Sequence, residues 1–103
     1  MELRDYPGMI AEKELAILRM ERHLGIDRRA LEQATAEVER QIAFDESLKN
    51  DLQRRARKME RLAQLDWYRS LTERIDRSES EIKRMSIELG QLRERVALAE
   101  IAN

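Results

Sequence analysis

A heptad repeat near the C-terminus constrains the fold of this chain more than any other feature. Between Trp67 and Ala102, residues suited to a helix interface recur at alternating spacings of three and four over five heptads. The two series are Tyr68, Ile75, Ile82, Leu89 and Val96, and Leu71, Ser78, Met85, Leu92 and Ala99. This spacing is typical of a helix that packs lengthwise against another helix.

The composition favours an all-α, coiled-coil-like fold. Charged residues make up 40% and apolar residues 42% of the 103 residues, with only three Gly and one Pro. Such a composition is typical of helical hairpins. We therefore expect a single helical domain spanning residues 1–103: a long antiparallel helical hairpin with a short N-terminal helix packed on it. Because a hairpin of this length has a thin core, we expect a homodimer or a docked protein partner to supply further burial.

Helix start and stop signals divide the domain into three segments. The short helix spans residues 9–24, and Gly25 fits the left-handed position that closes a helix. Asp27 is a good N-cap for the first hairpin arm, residues 27–64. The second arm spans residues 67–101.

The position of the turn between the arms has three alternatives. A turn at Leu65–Asp66 gives arms of nearly equal length, and Asp66 can cap the second arm. A turn at Lys49–Asp51 is the second alternative, because Asn tolerates the left-handed conformation. The third is no turn, since the apolar spacing continues through residues 63–71 and allows one long helix.

The turn near residue 66 makes two specific predictions about pairing between the arms. It places Ile42 opposite Leu89, and it brings Asp45 near Arg84. Asp45 occupies a heptad position of the first arm, where a buried carboxylate is costly unless it is paired. We expect it at the edge of the interface with an Arg or Ser partner, or in a role that fixes the register.

The chain lacks the residue clusters that most enzymes need. It has no Cys and a single His23, so metal sites built on His or Cys are not expected, and no glycine-rich phosphate loop occurs. We predict a non-enzyme with no cofactor, no metal and no small-molecule substrate. No apolar run approaches the ~20 residues of a membrane span, and the charged N-terminus does not resemble a secretory signal, so we expect a cytoplasmic protein.

Basic residues cluster in the middle of the chain, although the formal net charge is only −1. Four of them lie within about 100° of one another on a helix, opposite an apolar stripe of Leu52, Ala56, Met59 and Ala63. One interpretation is a solvated outer face; the other is a surface that binds nucleic-acid phosphates or an acidic protein. Trp67 either fills the hairpin end with Tyr68 or contacts a partner. The candidate contact residues are Arg54, Arg55, Arg57, Lys58, Arg61, Trp67 and Arg69.

Residues 44–96 resemble small helical accessory proteins encoded by phages, prophages and cyanobacteria. The resemblance lies in Asn50-Asp51-Leu52-Gln53-Arg54-Arg55-Ala56 within residues 48–56, in Tyr68-Arg69-Ser70-Leu71, and in a Leu-Arg-rich segment over residues 87–93. Such proteins have no established activity and often accompany single-strand annealing recombination genes. The resemblance implies a phage-type accessory protein.

Two functions follow as predictions. The first is a protein-interaction module, such as an adaptor, an assembly factor or an inhibitor. The alternative is a nucleic-acid-binding accessory of recombination that uses the basic residues at positions 54–61. The first predicts a protein partner that binds an exposed apolar edge, and the second predicts salt-sensitive DNA binding.

Overall fold

The fold is all-α. The computed structural model describes residues 2–102, and within them every regular element is helical. A turn of 3-10 helix at Leu3–Asp5 precedes three α-helices: α1 (Tyr6–Ala43), α2 (Asp51–Ala63) and α3 (Asp66–Ala102). The expected all-α class is thus confirmed; residues 1 and 103 of the predicted domain lie outside the described part.

Helix α1 replaces the short helix and much of the first arm that the sequence predicted. The break expected at Gly25–Asp27 is wrong, because α1 continues through both residues. No residue between 2 and 102 has a positive φ, so Gly25 is an interior helical residue rather than a left-handed cap. Asp27 does not cap a helix either: its carboxylate is buried and accepts two hydrogen bonds of 2.9 Å from Arg74.

The predicted first arm is interrupted once, between α1 and α2. Helix α1 ends at Ala43, and residues 44–50 form a turn-rich connection before α2. A break occurs at the second alternative for the turn, but Asn50 is extended rather than left-handed and is itself the cap of α2. Helix α3 begins at Asp66, close to the first alternative. The chain therefore breaks near both positions, and the continuous helix is wrong.

The heptad prediction for α3 is confirmed at the level of burial. All ten heptad positions between Tyr68 and Ala99 are buried or half-buried. The most deeply buried are Leu71, Ile75, Met85, Leu89 and Leu92. Regular apolar spacing thus identified the buried face of this helix.

The chain divides into two compact units, of which one contains residues up to 24 and residues from 77 onward. In this unit Lys13 of α1 donates to Glu88 of α3 over 2.5 Å, and Arg93 donates to Glu14 over 2.9 Å. Glu88 also accepts from Arg84. These pairs connect the beginning of α1 to the second half of α3. The sequence predicted that the first arm, residues 27–64, would pack against this half of α3 instead.

The other unit comprises residues 25–76. Its core contains Val38 and Ile42 of α1 and Leu62 of α2, with Leu65 and Tyr68 among the side chains packed against them. The predicted pairing of Ile42 with Leu89 is therefore wrong. The reason is that Ala43 ends α1, so the chain turns and returns α2 onto the end of α1.

Glu88 gives a prediction that depends on pH. Its hydrogen bond from Lys13 holds the pKa of Glu88 below its usual 4.5, and the charge of Arg84 acts in the same direction. A carboxylate whose pKa is lower in the folded state stabilises the fold above the unfolded pKa, and this contribution is lost as the pH falls through the folded pKa. Glu88→Gln should lower the melting temperature at about pH 7, and the difference should vanish at about pH 2.

Thermal melts of the parent chain and the variant over this pH range measure the effect. Glu94→Gln is the matched control, because Glu94 is an exposed carboxylate of the same helix. Equal effects of the two substitutions at neutral pH would contradict the assignment.

Candidate functional site

Helix α2 carries most of the candidate contact residues, and its start is set by local hydrogen bonds. The Asn50 side chain accepts from the backbone N–H of Gln53 at 2.9 Å. In return, the Gln53 side chain accepts from the backbone N–H of Lys49 at 2.6 Å. This pair of hydrogen bonds satisfies backbone donors around the start of the 13-residue helix and sets where it begins.

The apolar stripe of α2 faces solvent, whereas the sequence analysis placed it in the helix interface. Leu52 is 77% and Met59 71% exposed, and Ala56 and Ala63 are also exposed. We call these four residues the α2 apolar face; at 100° per residue they span about 60° of the helix. Leu62, which is only 7% exposed, packs into the core instead.

Two basic residues of α2 are turned toward α1 rather than away from the core. Lys58 Nζ donates to Glu39 Oε1 over 2.5 Å, and Arg61 donates to Gln41 Oε1 over 2.9 Å. The predicted outward orientation of the basic stripe is therefore wrong for these two residues. The contacts have a physical reason, because long Lys and Arg stems cover apolar surface while their charged ends reach polar partners.

The remaining basic candidates differ in their partners. Arg54 forms an ion pair with Asp51 at 3.2 Å, and Arg57 lies 3.9 Å from Glu60. Arg55 and Arg69 are exposed, and within residues 2–102 neither takes part in an ion pair. The predicted basic surface thus divides into three groups. Lys58 and Arg61 contact α1, Arg54 and Arg57 pair within α2, and Arg55 and Arg69 are exposed cations.

Two open grooves flank the contact between α1 and α2. One has a volume of about 400 Å³ and includes Ile42, Arg54 and Arg55 in its lining. The other, of about 420 Å³, extends along Val38 and Leu65 to Trp67. Both are shallow clefts between helices, and their mixed apolar and charged linings suit parts of a larger partner.

Trp67 and Tyr68 have different environments. Tyr68 packs against the core of Val38, Ile42 and Leu62. Trp67 is 51% exposed and lies edge-on to Tyr68, with ring centroids 6.5 Å apart. Tyr68 therefore fills space against the core, as one prediction for this aromatic pair stated. Trp67 is accessible to a partner at one end of the groove of about 420 Å³.

The connection between α1 and α2 contains Asp45, which the sequence predicted at the edge of the helix interface with an Arg or Ser partner. The Asp45 carboxylate instead accepts from the Ser47 hydroxyl at 2.5 Å and from the Ser47 backbone N–H at 3.0 Å. These hydrogen bonds lower the pKa of Asp45, and Arg57 and Arg61 contribute in the same direction. The expected Ser partner is present, but the interface position is wrong because the helix has already ended. Phe44, beside it, is 82% exposed.

No grouping of three or more His, Cys, Asp or Glu side chains suited to a metal ion occurs within residues 2–102. None of the helices described has an uninterrupted apolar stretch that could cross a bilayer.

Sequence reasoning identified α2 as the region of interest, but it missed Leu62 as the residue that orients it. Leu62 is the one large apolar residue of α2 off the regular stripe, and the local pattern does not mark it as the buried one.

No protein-family model matches the chain, and no curated protein or solved structure has significant similarity to it.

Proposed function

We propose that this chain is a non-enzymatic protein-interaction module, an adaptor, assembly factor or inhibitor with a helical-hairpin architecture. The observation that carries the proposal is the exposure of the α2 apolar face. Leu52 and Met59 place two large apolar side chains of this face in solvent, and Phe44 of the connection before α2 is also largely exposed. Contiguous exposed apolar surface of this kind is typical of a binding site.

The contacts of α2 favour a protein partner over nucleic acid. Lys58 and Arg61 already bind side chains of α1, and Arg54 pairs with Asp51. A surface that tracks phosphates needs several cations free to release counterions, and among the described candidates Arg55 and Arg69 are the exposed cations without an ion pair. The phage-type resemblance and a cytoplasmic location remain predictions that are compatible with an accessory role of this kind.

Photo-cross-linking in living cells tests the proposal. A photoreactive amino acid at Met59 should give covalent adducts to protein, while the same group at Glu94, an exposed polar position of α3, should give few. The adducts should disappear when Leu52→Lys is added, because it places a charge on the same apolar face. Adducts that are equal at both positions, or insensitive to Leu52→Lys, would overturn the proposal.

A DNA titration at two salt concentrations tests the alternative. Binding that weakens with salt and is lost on reversing Arg55 and Arg69 to Glu would support a nucleic-acid-binding accessory instead. These two residues are the sharpest choice, because changing Lys58 or Arg61 would also disturb contacts with α1. We expect no salt-sensitive binding.

A further inference from the structure

We propose that the α2 apolar face binds the same face of a second copy of this chain, with the two α2 helices antiparallel. This inference rests on the proposed function and names the partner. The four residues of the face follow spacings of four, three and four, which is the interface pattern of a coiled coil. Such a face is self-complementary under a two-fold axis, the symmetry of most homodimers.

The order of side-chain sizes supports the antiparallel arrangement. The face reads large, small, large, small: Leu52, Ala56, Met59, Ala63. In an antiparallel pair Leu52 lies opposite Ala63 of the second copy, and Met59 lies opposite Ala56. Every layer then contains one large and one small side chain, which fills the space evenly. A parallel pair would set Ala against Ala and leave those layers underfilled.

Polar side chains at the edges of the face are compatible with the same pairing. Gln53 and Glu60 lie along one edge, and the antiparallel arrangement brings the Gln53 amide of one copy beside Glu60 of the other. The Gln53 side-chain oxygen already accepts from Lys49, so its NH₂ group remains to donate to this carboxylate. Lys58 and Arg61, two of the five basic residues of α2, are directed toward α1 and so away from the proposed interface.

The size of the face sets the expected strength. Helix α2 has 13 residues, a length of about 20 Å at about 1.5 Å per residue. One such face buries less than the roughly 1,200–2,000 Å² of stable interfaces. The dimer should therefore be reversible and dependent on concentration, with monomers prevailing in dilute solution.

A size-swap experiment on the purified chain tests both the contact and its direction. Sedimentation equilibrium should show a monomer–dimer equilibrium. Ala56→Leu should weaken it at least about tenfold, because the new side chain meets Met59 of the second copy. Met59→Ala should weaken it to a similar degree, and the double variant, which exchanges large and small positions, should restore it. Both positions are exposed in the monomer, so these variants are expected to fold.

Disulfide trapping gives an independent readout, because the chain has no cysteines. When Ala56→Cys and Met59→Cys proteins are mixed and oxidised, the disulfide between the two different variants should exceed either disulfide between identical chains. Glu73→Cys, on an exposed position of α3, is the control and should give little product.

Three results would overturn the inference: a monomer at all concentrations, strengthened association of Ala56→Leu, or a preference for disulfides between identical variants. The last two indicate a parallel pair. A monomeric purified chain whose Met59 still cross-links to another protein in cells would remove this inference and leave the proposed function intact. Loss of both the dimerisation of the purified chain and the cross-links from Met59 in cells would overturn both this inference and the proposed function.

Discussion

Leu62→Ala is expected to lower the free energy of unfolding by about 2–5 kcal/mol, the usual cost of truncating a buried leucine. Leu62 is the one buried residue of α2, and it contacts the core that contains Val38 and Ile42. Met59→Ala, on the exposed side of the same helix, should change the free energy by less than about 0.5 kcal/mol. Urea unfolding followed by circular dichroism measures both values.

The comparison of Leu62 with Met59 is decisive because the heptad pattern predicts the opposite order. If the apolar stripe of α2 were its buried side, Met59→Ala would be costly and Leu62→Ala nearly neutral. Measurements at protein concentrations low enough to keep the chain monomeric serve as the control, since a dimer would add the loss of intermolecular contacts to the Met59 value.

Ile26→Pro is expected to destabilise the chain by about 3 kcal/mol or more. Proline in a helix interior removes a backbone hydrogen bond and clashes with the preceding turn, and residue 26 lies in the middle of α1. If a helix ended at Leu24, proline at this position would be tolerated, because proline is common just after helix ends. Thermal and urea unfolding distinguish the two outcomes.

Two substitutions control for effects other than the helix break. Ile26→Ala removes the same half-exposed side chain without disturbing the backbone and should have a small effect. Gly25→Ala should stabilise the chain by about 0.5–1 kcal/mol, since a Cβ at Gly25 meets no atom within 4 Å and its backbone is helical. Destabilisation by Gly25→Ala would indicate a break that the structure does not contain.

Sequence reasoning succeeded where one periodic pattern controls one long helix. In α3 the regular spacing runs through five heptads, so small irregularities such as Ser78 do not change which face is buried. The helical content follows from the same regularity, whereas the α3 start was indicated by Asp66 as a cap. These properties depend on local spacing and on residues near one another in the sequence.

Sequence reasoning failed where long-range contacts decide between local alternatives. Gly25 and Asp27 are good helix-end residues, but the hydrogen bonds from Arg74 satisfy Asp27 without a cap. The stripe of Leu52 and Met59 on α2 continues the apolar spacing of α3. Because the helix breaks at residues 64–65, this shared spacing no longer places the stripe on the same side as the buried face of α3. Which side of α2 is buried then depends on Leu62 and the residues it meets on α1, and no local pattern contains that information.

The placement of Leu62 and the α2 apolar face on different sides of one helix separates two kinds of constraint. Residues that hold α2 to α1 are under selection for folding, whereas Leu52, Ala56, Met59 and Ala63 contribute little to the stability of a single chain. Substitutions at these four positions are therefore a route by which binding specificity can diverge without loss of the fold. The same separation makes α2 a site where a new binding face can be engineered on an unchanged scaffold.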